Sequence, residues 1–214
     1  MKKPETTEKS MNTVSNAESL PLMQVSDHEL MALYVEGQTA AFTQLVKKYK
    51  DPLTNFVNRI VCDYDAAVDI VQETFIRVHR KSKYYEAKAS FSTWLYKIAK
   101  NLAINELRRK KKRVFVSIDQ PLYKDSLSTE KLEIADDTNQ PDITTEKIEL
   151  VKVVETAISS LPQRYRIPLV LRDMQGLAYE EVAKILSLPK GTVKSRINRA
   201  RNILKKKLEP FMVG

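Results

Sequence analysis

The sequence is short of the residues that break or staple a chain: four glycines, two histidines and one cysteine in 214 residues. Scarce glycine beside abundant Lys, Glu, Leu and Ala argues against a turn-rich sheet protein and for helices. A single cysteine, Cys62, cannot close an internal disulfide, which points to a reducing, cytoplasmic setting. His28 and His79 with that one thiol give no zinc-ligand spacing, and no glycine-rich phosphate loop is present. Carboxylates pair only as helix-surface repeats, with no sign of a desolvated pocket for acid–base work. No apolar run approaches the roughly 20 residues that span a bilayer, and the polar N-terminus lacks a signal-peptide core. The expectation is a soluble protein that is not an enzyme, with no metal, cofactor, small-molecule substrate or membrane insertion.

What the chain has is positive charge, unevenly placed. The net charge of +9 divides into about zero over residues 1–25, +7 over 26–113, −6 over 114–146 and +8 over 147–214. Two cationic blocks around an anionic one suggest two polyanion-binding modules and a linker of different purpose. Residues 1–25 read as a disordered tail. Order starts at Ser26-Asp27-His28-Glu29, a capping box ahead of Leu30, Met31, Leu33 and Tyr34, and Gly37 closes that short helix.

A longer helical pattern carries Phe42, Leu45, Val46 and Tyr49, then Leu53, Phe56, Val57 and Ile60, with a kink or restart expected at Pro52. Asp65–His79 follows as a helix with Ala67, Val71, Phe75 and Val78 inward. After a loop over Lys81–Ser90, Ser92 is the expected cap of a helix through Trp94, Leu95, Ile98, Ala99, Leu102 and Leu107 that ends in the basic run Arg108–Arg113. Residues 114–145 read as a linker, and Val114–Ile118 alternates weakly enough to be extended. Helices resume from Glu146. One from Pro162 to Met174 should bend or loosen near Pro168, and two more span Ala178–Leu186 and Lys190–Leu208. The fold class is all-α: two small helical domains, 26–113 and 146–214, joined by a flexible acidic linker.

The last two helices, joined through Ser187-Leu188-Pro189, make a helix-turn-helix. Val182, Ala183, Ile185 and Leu186 face inward from the first; Val193, Ile197, Ala200 and Leu204 face inward from the second. The second presents Lys190, Thr192, Lys194, Ser195, Arg196, Arg199 and Arg201. In this motif the second helix enters the major groove, where Arg suits guanine and Lys neutralises phosphate. Farther upstream, Asp65, Asp69 and Glu73 recur every four residues and share a helix face. An acidic stripe on a domain of +7 suits a basic protein partner, although a merely solvated face would look the same from these residues. Tyr84, Tyr85, Phe91, Trp94 and Tyr96 lie beside a basic helix, where aromatics stack on unpaired bases or fill a core; Phe91 and Trp94 are expected in the core.

Three strings resemble sigma factors of the extracytoplasmic-function type, the bacterial proteins that direct RNA polymerase to promoters. They are Asp69-Ile70-Val71-Gln72-Glu73-Thr74-Phe75; the run Phe91-Ser92-Thr93-Trp94-Leu95-Tyr96-Lys97-Ile98-Ala99-Lys100-Asn101 continuing to Arg109; and Tyr179-Glu180-Glu181-Val182-Ala183 with Leu188-Pro189-Lys190-Gly191-Thr192-Val193-Lys194-Ser195-Arg196. The resemblance implies that Asp69, Gln72 and Glu73 meet the clamp helices of the polymerase β′ subunit, with the β flap as a further core contact. It implies −10 element contacts from Tyr84, Tyr85, Lys88, Ser90, Lys97, Asn101, Asn105, Arg108 and Arg109, and −35 duplex contacts from the recognition-helix residues named above. It implies an anti-sigma factor as a partner and a linker that threads toward the RNA exit path, although a soluble tether fits the linker equally well. Val68 stands where the family often has Glu, Asn105 where Asp is common, Ala178 where a capping Ser or Thr is usual, and Ser187 where the turn usually has Gly. The rival reading is a free-standing helix-turn-helix regulator, which leaves the first two strings unexplained.

Overall fold

The computed structural model describes residues 25–85, 90–118 and 145–211, with backbone only at 113–118 and 145–148. Every regular element among them is helical. In order they are α1 (Asp27–Val35), α2 (Thr39–Val61), α3 (Tyr64–Lys81), α4 (Phe91–Ile118), α5 (Thr145–Ser159), α6 (Gln163–Leu169), α7 (Tyr179–Leu186) and α8 (Lys190–Leu208). Residues 1–24, 86–89, 119–144 and 212–214, and with them the tail, Lys88 and most of the linker, lie outside the described residues.

The capping box at Ser26 forms as the sequence predicts. Its hydroxyl accepts the Glu29 N–H at 3.3 Å and the Glu29 carboxylate accepts the Ser26 N–H at 2.8 Å, satisfying two orphan donors of the first turn. Those bonds from Ser26 hold the Glu29 carboxyl below its ordinary range. Of the kink or restart expected at Pro52, the restart does not occur: helix α2 runs from Thr39 to Val61 with Pro52 inside. Proline removes one helical donor, but Leu53, Phe56 and Val57 just beyond it are fully buried, and that packing carries the helix through. It ends at Cys62 in the left-handed region (φ 53°), and Asp63 caps α3 by accepting the Ala66 N–H at 2.9 Å.

Helix α4 corrects two expectations. Its cap is Ser90, not Ser92: the Ser90 hydroxyl accepts the Thr93 N–H at 3.3 Å. At its far end the helix continues to Ile118, through residues expected to be extended, because nothing in the basic run 108–113 breaks a helix. Near Pro168 the expected loosening is present, since Val170–Met174 widens into a π turn closed by the Gln175 N–H on the Val170 carbonyl at 3.0 Å.

Helices α1–α4 bury Met31, Leu45, Phe56, Ile60, Phe91 and Leu95, and α5–α8 bury Leu171, Val182, Ile185, Val193 and Ile197. Helices α1–α4 and α5–α8 are packed together rather than merely tethered, and their apolar residues form one continuous cluster. α7 lies on α4, and α5 and α6 lie on α2.

Candidate polymerase and nucleic-acid interfaces

On α3 the sequence pattern separates two faces. Val71 and Phe75 are buried, with the Phe75 ring edge-on to Phe42 at 6.3 Å. Asp65, Asp69 and Gln72 are exposed on the outer side. Glu73 is half-buried and accepts Arg77 Nε at 2.7 Å one turn along. The helix is fixed at its start by Asp63, which holds Lys110 of α4 at 2.5 Å. That hydrogen bond pulls the Asp63 carboxyl below its ordinary range. The anchorage is complete above the usual carboxylate range and is lost as pH falls through the lowered value.

The aromatic segment divides in two. Phe91 and Tyr96 are buried, and Trp94 is half-buried with its ring 6.2 Å from Phe91. Tyr85 packs on Trp94 (5.2 Å) and Phe91, whereas Tyr84 is 83% exposed. Beyond them Lys97, Asn101, Asn105 and Arg108 are all exposed along one side of α4; Arg109 pairs with Glu106 at 2.8 Å. Ser90, expected in the −10 loop, accepts the Thr93 N–H while its hydroxyl donates to Glu181 of α7 at 2.9 Å.

The helix-turn-helix is built as its pattern requires. Val182, Ile185, Val193, Ile197 and Ala200 are buried; Ala183, Leu186 and Leu204 are half-buried. Ala178 offers α7 no side-chain oxygen, yet Glu181 supplies the reciprocal half of a capping box by accepting the Ala178 N–H at 3.0 Å. The turn closes at Ser187, which adopts φ 54°. The positive φ thus falls on the residue that replaces glycine, where a β-carbon costs about 1–2 kcal/mol.

Along α8 the cations differ in their ties. Lys190 is bonded to Glu180, which lowers the Glu180 carboxyl. Arg201 makes a two-pronged pair with Asp173, at 2.8 and 2.5 Å, which raises its pKa further. Lys194 lies 5.7 Å from the Tyr179 ring, and Ser195 bonds back to the Thr192 carbonyl at 2.9 Å. Thr192 and Arg196 are half-buried and Arg199 is exposed. Arg196 lines a cleft of about 740 Å³ together with Lys100, Arg108 and Lys111 of α4. Burial lowers the pKa of Lys100 there, with Lys97 adding to it.

Sequence reasoning missed Arg166. It is 6% exposed and donates to the carbonyls of Ile60 (2.9 Å) and Ser159 (2.7 Å). A signal was present: Ile167-Pro168-Leu169-Val170-Leu171 is apolar on every face, as in a helix covered from all sides. Among the described residues no His, Cys, Asp and Glu cluster could hold a metal ion, and no helix is long and apolar enough to cross a membrane.

Two family models match the chain, Sigma-70 region 2 at residues 45–113 and Sigma-70 region 4 at residues 152–204. These are the halves that carry the acidic stripe with the aromatic segment and the helix-turn-helix. The chain is 32% identical over 194 residues to the ECF RNA polymerase sigma-E factor of Haemophilus influenzae, covering 88% of this chain and 98% of that one. It is 34% identical over 191 residues to the RNA polymerase sigma-H factor of Pseudomonas aeruginosa, covering 89% and 98%. Among solved structures its fold is similar to the sigma factor RpoE of Bartonella quintana in complex with the anti-sigma factor NepR (TM-score 0.62, 24% identity, 78% of this chain and 96% of that one). It is likewise similar to CnrH in complex with the cytosolic domain of CnrY (TM-score 0.62, 22% identity, 87% and 99%). With both sigma regions in order and relatives matched over nearly their whole length, this chain belongs to the ECF family of RNA polymerase sigma factors, which direct the polymerase to promoters.

Proposed function

We propose that α3 is the docking element for core polymerase, α8 the reader of the −35 duplex, and the outer side of α4 with Tyr84 the surface that holds the opened −10 element. The observation that carries this division is on α3: Asp69 and Gln72 are exposed while Val71 and Phe75 are buried, so the acidic face can take a basic partner without disturbing the core. Asp69, Gln72 and Glu73 meet the β′ clamp helices, and the helix-turn-helix unit meets the β flap. On α8, Lys194, Arg196 and Arg199 are the leading duplex contacts, supported by Thr192 and Ser195. Lys190 and Arg201 must exchange a carboxylate for a phosphate before they contribute. The residue set of the −10 surface is Tyr84, Tyr85, Lys88, Ser90, Lys97, Asn101, Asn105, Arg108 and Arg109.

The protein works in the cytoplasm, acts without catalysis of its own, and is held inactive by an anti-sigma factor, as the complexes of its structural relatives suggest. The linker's passage toward the RNA exit path belongs to the same reading. Asp69→Lys combined with Glu73→Lys tests the docking assignment by pull-down with core polymerase. Association is expected to disappear while the helical circular dichroism stays unchanged; undiminished association would remove α3 from the interface.

A further inference from the structure

Helix α1 belongs to neither the proposed docking face nor the proposed DNA surfaces, yet its first turn is tied to residues of the −10 surface. Asp27 directly follows the Ser26 cap, so the capping box fixes its place at the positive end of the helix dipole. Its carboxylate accepts the Lys48 ammonium at 2.5 Å and the Tyr49 phenol, both from α2. Tyr49 is half-buried. Burial and the Asp27 carboxylate push its pKa well above the ordinary range, so the phenol stays a donor. From the start of α4 the Ser92 hydroxyl acts on the same phenol, and it lies 3.1 Å from the Ser90 hydroxyl.

The Tyr49 ring is also the first of a row. It packs tilted against Phe91 at 5.4 Å, and Phe91 stands edge-on to Tyr85 and to Trp94, both at 6.2 Å. Tyr85 lies 5.2 Å from Trp94, with the His28 ring 5.8 Å away on its other neighbour, α1. Helix α1 lies against the 3-10 turn Ser82–Tyr84 as well. From Asp27, then, one line of contacts leads through Tyr49 and Phe91 to Tyr85, and another through Ser92 to Ser90.

We propose that Asp27 and Tyr49 are positioning residues for promoter opening: their hydrogen bond fixes the row of rings that holds Tyr84 and Tyr85 ready for an unpaired −10 base. The proposal rests on the assignment of Tyr84 and Tyr85 to the −10 surface. Contacts between rings tolerate a range of angles, whereas a hydrogen bond from the phenol defines where the Tyr49 ring must lie. Tyr84 is 83% exposed on a turn of three residues, so its place is set by what packs behind Tyr85. A ring ordered in advance loses less freedom when a base stacks on it. Lys48 is the lesser partner of Asp27, because its ammonium is more than half exposed and solvent screens the pair.

The test uses holoenzyme assembled from core polymerase and the full-length chain, carrying Asp27→Ala or Tyr49→Phe, which keeps the ring and removes the hydroxyl. Each should lower the permanganate reactivity of −10 thymines, and the affinity for a single-stranded −10 oligonucleotide, by about fivefold, the loss of one hydrogen bond. Association with core polymerase and binding of the −35 duplex should be unchanged. Asp27→Asn keeps an acceptor for the phenol and should restore opening, and Lys48→Ala should leave it unaltered. Adding Asp27→Ala to Tyr84→Ala should cost little beyond Tyr84→Ala alone, because the first acts through the ring that the second removes. Undiminished opening with Tyr49→Phe, equal losses in core and −35 binding, or Asp27→Asn as damaging as Asp27→Ala would overturn the positioning role. Tyr84→Ala without effect while Asp27→Ala impairs opening counts against the −10 surface; Tyr84→Ala impairing opening while Asp27→Ala is silent counts against the row.

Discussion

The two helices proposed to face DNA hold their polar side chains in different ways. Along α4, Lys97, Asn101, Asn105 and Arg108 are exposed and carry no ion pair among the described residues. Along α8, Lys190 is held by Glu180 and Arg201 by Asp173, while Arg196 and Arg199 carry no such pair among the described residues. On the proposed reading a phosphate displaces a carboxylate at Lys190 and Arg201 of α8 and at Arg109 of α4, which Glu106 holds at 2.8 Å, but not at Lys97 or Arg108. Exposed ion pairs are weak, about 0.2–1 kcal/mol, so this ties the reader lightly. The charge set it brings to a phosphate backbone is smaller than its count of basic residues.

The largest expected effect breaks the comparison on the α4 side. Tyr84 is 83% exposed, so Tyr84→Ala should leave the fold intact. If its ring stacks on an unpaired base, worth about 1–3 kcal/mol, promoter opening followed by permanganate reactivity of −10 thymines should fall about tenfold. Unaltered reactivity would leave α4 as an electrostatic surface alone. Next, Arg196→Ala should weaken −35 duplex binding by about tenfold and lower the slope of log affinity against log salt by about 1. A retained slope would mean that the wrong face of α8 has been assigned. A smaller effect of opposite sign sharpens the contrast: Glu180→Gln releases Lys190, so duplex affinity measured by anisotropy should rise by up to about fivefold, with a steeper salt slope. If affinity falls instead, Glu180 serves the interface itself.

The smallest effect concerns stability. Ser187→Gly relieves the left-handed turn and should add about 1 kcal/mol, read as a rise of several degrees in the melting temperature of the helix-turn-helix unit. No change there would mean that Ser187 makes a compensating contact.

Local rules were legible where local physics decides. The bounds Lys190–Leu208 follow from Pro189 at the helix start and an unbroken apolar period, and the capping box at Ser26 follows from side-chain reach alone. Ser90 was harder to read, because both it and Ser92 can cap, and the choice depends on where Phe91 is buried. The uninterrupted run of α2 through Pro52 was not readable, because burial of Leu53, Phe56 and Val57 outweighs a lost hydrogen bond only once the neighbouring helices are in place. At Ser187 the motif's usual glycine marked the strained position, and the chain accepts the strain rather than moving it. The docking of the two units lay furthest from local pattern, although the apolar run after Arg166 carried its trace. The site residues share this division: exposure on α3, α4 and α8 follows from period, whereas the internal partners of Lys190, Arg201 and Ser90 arise from helix packing that period does not contain.

Run-off transcription with core polymerase and a promoter library tests the central claim most directly, with duplex binding by the protein alone measured in parallel. The account predicts transcripts from a defined subset of promoters that depend on the added chain, with little duplex binding in the absence of polymerase. Tight promoter binding by the chain alone, with no transcript above that of core polymerase, would contradict it.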